Sequence, residues 1–139
     1  MGKGTGLVRF GVAMESSLLE RFDASLSAKG YANRSEALRD LIRAHLIEQD
    51  IAEDDRMVAG SLTMVYLHHE ANVAERLTEL QHQFRDWILS SVHVHLDDES
   101  CLEVLVLRGP AGRLRALADL IIGSKGVKHG QLLLTVPEP

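Results

Sequence analysis

Hydrophobic and polar positions repeat with two different periods along this chain, and the changes of period mark its elements. Residues 7–14, LVRFGVAM, alternate: Phe10, Val12 and Met14 fall on one face and Arg9, Gly11 and Ala13 on the other, the pattern of a short strand. No partner strand follows it in sequence, and a lone strand is not stable. Pairing with the same strand of a second chain supplies the missing ladder. The period then becomes helical. Ser17 and Glu20 have the spacing of a capping box. Leu18, Phe22 and Leu26 share a helix face with Leu19 beside them, and Gly30 suits the stop. Asn33 or Ser35 caps a second helix, whose stripe of Ala37, Leu38, Leu41, Ile42 and Leu46 is expected to be buried. Residues 48–57, EQDIAEDDRM, are acidic and weakly patterned, and read as a further helical turn followed by linker.

Beyond residue 57 the two periods alternate. The pattern predicts a strand over 58–67, a helix over 71–84 with Val73, Leu77, Leu80 and Phe84 inward, and strands over 88–96 and 101–107. A helix over 110–123 follows, with Pro110 near its first turn and Leu114, Leu117, Ala118 and Ile121 inward, then a strand over 127–136. This β-α-β-β-α-β order is the ferredoxin-like split arrangement. The fold class is α+β. Residues 1–50 form an N-terminal domain, 51–57 a linker and 58–139 a second domain.

Composition narrows the classes. The chain has 139 residues, 45% hydrophobic and 25% charged, which suits one globular domain or two small ones. One cysteine excludes an intrachain disulfide framework and fits a reducing cytoplasm. No apolar run approaches the ~20 residues of a membrane span, and the opening MGKGTG has no signal-peptide core. The net charge of −5 argues against a uniformly basic nucleic-acid binder. The halves differ, however. Residues 1–47 carry seven Lys and Arg against five Asp and Glu, the remainder eight against fifteen, so any nucleic-acid contact belongs to the first part.

The candidate chemistry lies between His82 and Cys101. His93 and His95 are two apart in VHVH and point to one face of a strand. Asp97 to Ser100 read as a hairpin loop. With Val94 opposite Leu102, the residues Val92, Val94, Leu96, Leu102, Val104 and Val106 share a wholly apolar face, expected to be the core. The same register sets Cys101 opposite His95 on the other face, beside His93. Two imidazoles and a thiolate suit zinc, nickel, copper or cobalt rather than magnesium or calcium. His82, near the end of the preceding helix, is the candidate fourth ligand, from the same chain or a neighbour. The alternative is a polar strand face with an inert cysteine.

A strand-helix-helix of this length, with Arg9 on the strand and GYANRSEALRDLI (residues 30–42) opening its second helix, resembles a ribbon-helix-helix DNA-binding domain. Joined to a βαββαβ domain with His82, H-V-H at 93–95 and Cys101, the chain resembles the nickel-responsive transcriptional regulators. The resemblance implies that two N-terminal strands pair and enter the DNA major groove, with Arg9, Gly11 and Ala13 facing the bases. It implies an ACT-type second domain that assembles a homotetramer, a dimer of dimers. Nickel would sit square-planar at the tetramer interface, about one Ni(II) per chain, held by His93, His95 and Cys101 of one chain and His82 of another. Nickel loading would favour binding to operator DNA in the cytoplasm, repressing nickel uptake.

Gly11 and Ala13 stand where hydroxyl residues are common in that family, so base readout is expected to rest mainly on Arg9. Arg34, at a helix N-terminus, and Lys3, on the N-terminal arm, are candidate phosphate contacts. Glu36 and Asp40 share a helix face, where the resemblance implies a secondary cation site, often for potassium; the alternative is ordinary surface carboxylates paired with Arg39 or Arg43. His68 and His69 read as a surface pair, with an accessory metal site as the alternative. A regulator responding to another metal or to a small molecule keeps the same architecture. A zinc metalloenzyme fits less well, because four ligands leave no open position for substrate.

Overall fold

The protein is described by a computed structural model, which covers residues 6–70 and 72–137. Residues 6–15 carry no strand assignment, consistent with a strand that lacks its partner. Helices α1 (Ser16–Lys29) and α2 (Arg34–Ala52) follow. Then come β1 (Met57–Leu67), α3 (Val73–Gln83), one 3-10 turn (Arg85–Trp87), β2 (Ile88–His95), β3 (Ser100–Pro110), α4 (Ala111–Ile122) and β4 (Val127–Thr135). The start of the expected helix at Ala71, like Lys3, lies outside the described residues.

The chain divides into two compact units, Met1–Ile42 and Arg43–Pro139. In the first, α1 is capped by Glu15 rather than Ser17: the Leu18 and Leu19 amides both donate to the Glu15 carbonyl at 3.1 Å. The Ser17–Glu20 box is therefore inside the helix, which starts two residues earlier than that box allows. Gly30 closes α1 in the left-handed region (φ 75°), where a side chain would be strained. The Asn33 side chain accepts from the Glu36 amide at 2.9 Å and caps α2. The stripe expected to be buried is mostly open in the single chain. Ala37 is buried, but Leu41, Ile42 and Leu46 are 40–56% exposed, because two helices alone cannot cover them.

The second unit is a four-stranded antiparallel sheet in the order β2-β3-β1-β4. α3 and α4 bury Val73, Leu77, Leu114, Leu117 and Ile121 in its core. The β2–β3 register is the expected one, with Val94 opposite Leu102 and His95 opposite Cys101. The face assignment is reversed. Cys101, Leu105 and Leu107 are fully buried under the helices, while Val92, Val94, Leu96 and Val106 are 41–54% exposed on the bare face. The central strand β1 explains this. Its apolar face of Val58, Leu62, Met64 and Tyr66 is buried, and its other face carries Ser61 and Thr63. Pairing sets Leu62 opposite Leu105 and Tyr66 opposite Cys101, so β1 decides which face the helices cover. The valines of β2 and β3 are apolar without being the core of this chain.

Candidate metal centre

The site forms where the inner face of the sheet runs out beyond the helices. β2 is an edge strand, so His93 and His95 share the inner face with Glu103 and Cys101 yet remain exposed. Cys101 Sγ lies 3.5 Å from His95 Nδ1 and 3.6 Å from His68 Nδ1. The ligand atoms of His68, His95 and Cys101 all fall within 4.8 Å of one another. His93 stands next to them, its ring centroid 5.1 Å from that of His95, with Nε2 3.3 Å from the Tyr66 hydroxyl. His82 occupies the last turn of α3, exposed, outside the group of three.

His68 is exposed with its ring 4.8 Å from that of His69, as expected of a surface pair, and it also faces the cysteine, as the accessory-site alternative requires. The signal for it is the period-two series Leu62, Met64, Tyr66 and His68, which continues the buried face of β1 one residue past the strand's end. The neighbouring backbone is held firmly. The His68 amide donates to the Glu99 carbonyl at 2.6 Å, and His69 Nε2 meets the Asp98 carbonyl at 2.8 Å. The Asp97 carboxylate accepts from the amides of Glu99 (2.9 Å) and Ser100 (2.7 Å), which holds its acid below the usual range and fixes the turn into Cys101.

Behind the donors is a polar network. Gln81, on the α3 residue before His82, donates to buried Glu103 at 2.8 Å. Burial and the charge of Glu103 push the Tyr66 hydroxyl up to about 12. Burial, with the charges of Asp97 and Glu103, also pushes the Cys101 thiol up. Two imidazoles and a sulfur are borderline-to-soft donors, so the residues present fit a late first-row divalent ion such as nickel. An ion bound there supplies the positive charge that makes a buried thiolate favourable.

In the first unit Arg9, Gly11 and Ala13 are exposed, and so are Leu7, Val8, Phe10 and Val12, at 61–95%. An open hollow of about 820 Å³ lies against this segment, lined by Phe10, Val12, Met14, Phe22, Leu38 and Ile42 among others. Arg34 is held in a two-pronged ion pair with Asp23, at 2.8 and 2.7 Å. Glu36 is exposed, and the Asp40 carboxylate accepts from the Tyr31 hydroxyl at 2.9 Å.

Comparison with known proteins places these features in context. Residues 59–135 match the family described as "NikR C terminal nickel binding domain". A protein from Nitratidesulfovibrio vulgaris (strain Hildenborough), named "Putative nickel-responsive regulator", is 53% identical over 92% of this chain and 92% of its own length. Proteins of the same name from Thermococcus onnurineus and Geobacter sp. (strain M21) are 51% and 54% identical, over 93% and 92% of this chain and 94% and 92% of their own. A solved structure of an uncharacterized protein from Thermotoga maritima shares the fold, with a TM-score of 0.51 and 23% identity over 56% of this chain and 96% of that one.

Proposed function

This chain belongs to the family of nickel-responsive regulators, and from that premise we propose that it is a DNA-binding repressor of nickel uptake whose hold on its operator is strengthened by nickel. The observation that carries the reading is the pairing of His95 with Cys101 across β2 and β3, inside the segment matched by the nickel-binding family. His93, His95 and Cys101 of one chain, with His82 of another, hold about one nickel per chain in a homotetramer. The bare valine face and the exposure of His82 support assembly, since both are left without cover in one chain.

Arg9, Gly11 and Ala13 face the major groove on a ribbon of two paired strands. The exposed apolar positions of residues 7–14 and the hollow beside them support that pairing. Lys3 and Arg34 contact phosphate, Arg34 by exchanging Asp23 for the DNA backbone. Glu36 and Asp40 hold a secondary cation, potassium. Among the described residues no helix is long and apolar enough to cross a membrane, and the protein works in the cytoplasm.

What these residues do follows from their placement. Asp97 and His69 fix the loop that presents Cys101. Gln81 and Glu103 tie the helix carrying His82 to the strand carrying Cys101. Donors drawn from two chains make nickel affinity and quaternary geometry interdependent, so nickel and DNA each tighten the binding of the other. The test is titration of DNA selected from a random pool by the nickel-loaded protein. Wild type should gain affinity with nickel, and His93→Ala and Cys101→Ala should lose that gain. Arg9→Ala should lose specific DNA binding while nickel affinity stays near wild type. Full nickel-dependent binding in either ligand variant contradicts the proposal.

A second reading of the ligand set rests on His68, which already faces Cys101 in one chain. If His68 rather than His82 completes the set, His68→Ala lowers nickel affinity and His82→Ala does not.

A further inference from the structure

The segment that follows α2 supplies acceptors for the unpaired first amides of α4, and a side chain of α4 reaches back to α2. The last carbonyls of a helix and its first amides have no partner within it. Here the Ala111 amide donates to the Arg56 carbonyl at 2.9 Å and the Gly112 amide to the Asp54 carbonyl at 3.0 Å. The main chain after α2 thus caps α4, at whose start no side chain makes a capping bond. Arg115, one turn into α4, reaches back. Its Nη1 donates to the Ile51 carbonyl at 2.5 Å, in the last turn of α2, and its Nη2 to the Asp54 carboxylate. Gly112 permits the close approach, because a Cβ there would meet Asp54 atoms at 3.0 Å. Ile47 and Ile51 pack on the core of the second unit beneath this junction.

The junction is continuous with the metal site. α4 begins at the residue after β3 ends, and β3 carries Cys101 at its second position. β3 is flanked by β2 and β1 on its two sides. Roughly 30 Å of paired strand, at about 3.3 Å per residue, connects the thiol to the clasp. In the other direction, α2 is one helix from Arg34 to Ala52.

We propose that Arg115 is a positioning residue: its fork on Ile51 and Asp54 fixes the last turns of α2 to the metal-binding unit, and this clasp carries the nickel signal to the helix that begins in the DNA-binding unit. The proposal rests on the regulator reading above. A guanidinium suits the task because its planar fork holds a carbonyl and a carboxylate at once, which a lysine ammonium cannot do with fixed geometry. The Arg115–Asp54 ion pair is partly exposed, so its effect lies in orientation more than in strength.

The test uses the full chain as wild type, Arg115→Ala and Arg115→Lys. Nickel titration, binding of the selected DNA with and without nickel, and hydrogen exchange over residues 43–52 are measured on each. Both variants should bind nickel, and bind DNA without nickel, as wild type does. The nickel-dependent gain in DNA affinity should fall about tenfold in Arg115→Ala, and exchange over 43–52 should speed up. Arg115→Lys should fall between, and it decides the matter if Arg115→Ala does not fold. A wild-type gain in the variants overturns the proposal whatever the exchange shows. Loss of nickel affinity together with the gain also overturns it, since Arg115 would then support only the fold. A wild type with no nickel-dependent gain sinks the regulator reading instead, and exchange over 43–52 alone then decides whether Arg115 fixes α2.

Discussion

Leu105 and Val106 are neighbours on β3 and nearly equal in hydrophobicity, yet Leu105 is fully buried and Val106 is 41% exposed. The contrast runs across the whole sheet. One face lies under α3 and α4 and grades from leucines at one end to Glu103, Cys101 and the histidines at the other. The opposite face presents Val92, Val94, Leu96, Val106 and Leu133, which are 41–62% exposed. An apolar face is thus evidence that something covers it, not that the chain's own helices do. The candidate ligands share the face of the buried core, which gives them a rigid base. On the proposed assembly, the bare face is where a second copy packs.

Opposite charges of stability and assembly follow when the same change is made on each face. Leu105→Asp puts a carboxylate under the helices and should abolish folding, at a cost above ~4 kcal/mol, seen as lost denaturant-unfolding cooperativity. Val94→Asp on the bare face should leave the chain folded and lower its mass in solution to that of a smaller assembly. A folded Leu105→Asp, or a Val94→Asp of unchanged mass, would break the distinction.

Truncations sharpen it on a smaller scale. Leu107→Ala should cost about 2–5 kcal/mol of unfolding free energy. Val106→Ala, measured where the chains are dissociated, should change it by less than about 1 kcal/mol. Equal costs would mean that both faces are packed within one chain. Glu103→Ala, which leaves the Gln81 amide without its acceptor, should cost about 1–3 kcal/mol. Glu103→Gln, which keeps an acceptor oxygen, should recover part of this.

The smallest effect is on pH dependence. In the fold, Cys101 and Tyr66 both hold their protons more tightly than their ordinary values of 9.0 and 10.0, Tyr66 up to about 12. Their contribution to the stability of the metal-free protein is therefore complete below pH 9 and declines as pH rises through the raised values. Tyr66→Phe should flatten the upper part of that decline and Cys101→Ala the lower part. An unchanged profile in both variants would show that these groups are not buried against negative charge.

Much of this was legible in the chain. Gly30 and Asn33 carry local rules, a left-handed stop and a cap, and both hold. The β2–β3 register was legible because period-two patterns admit few alignments. Which face is covered was not legible from the hairpin alone, because both of its faces have a reason to be shielded. The answer lay in β1, where Ser61 and Thr63 oppose Leu62 and Met64. His68 was legible only as an accessory alternative, because it falls just beyond a strand end and the series through Tyr66 is less marked than the H-V-H motif. The Ser17 box failed because two serines and a glutamate in succession offer several starts, and the backbone took Glu15. On the proposed pairing, the cover for residues 7–14, and for Leu41 and Ile42, comes from a second chain, which a single sequence does not display.

X-ray absorption at the nickel edge, on the nickel-loaded wild type and on Cys101→Ser, tests the central claim most directly. The wild-type spectrum should show one sulfur together with imidazole nitrogens in the first shell, and the sulfur should vanish in the variant. A wild-type nickel shell without sulfur would mean that the inner-face cluster of β2 and β3 is not where the metal resides.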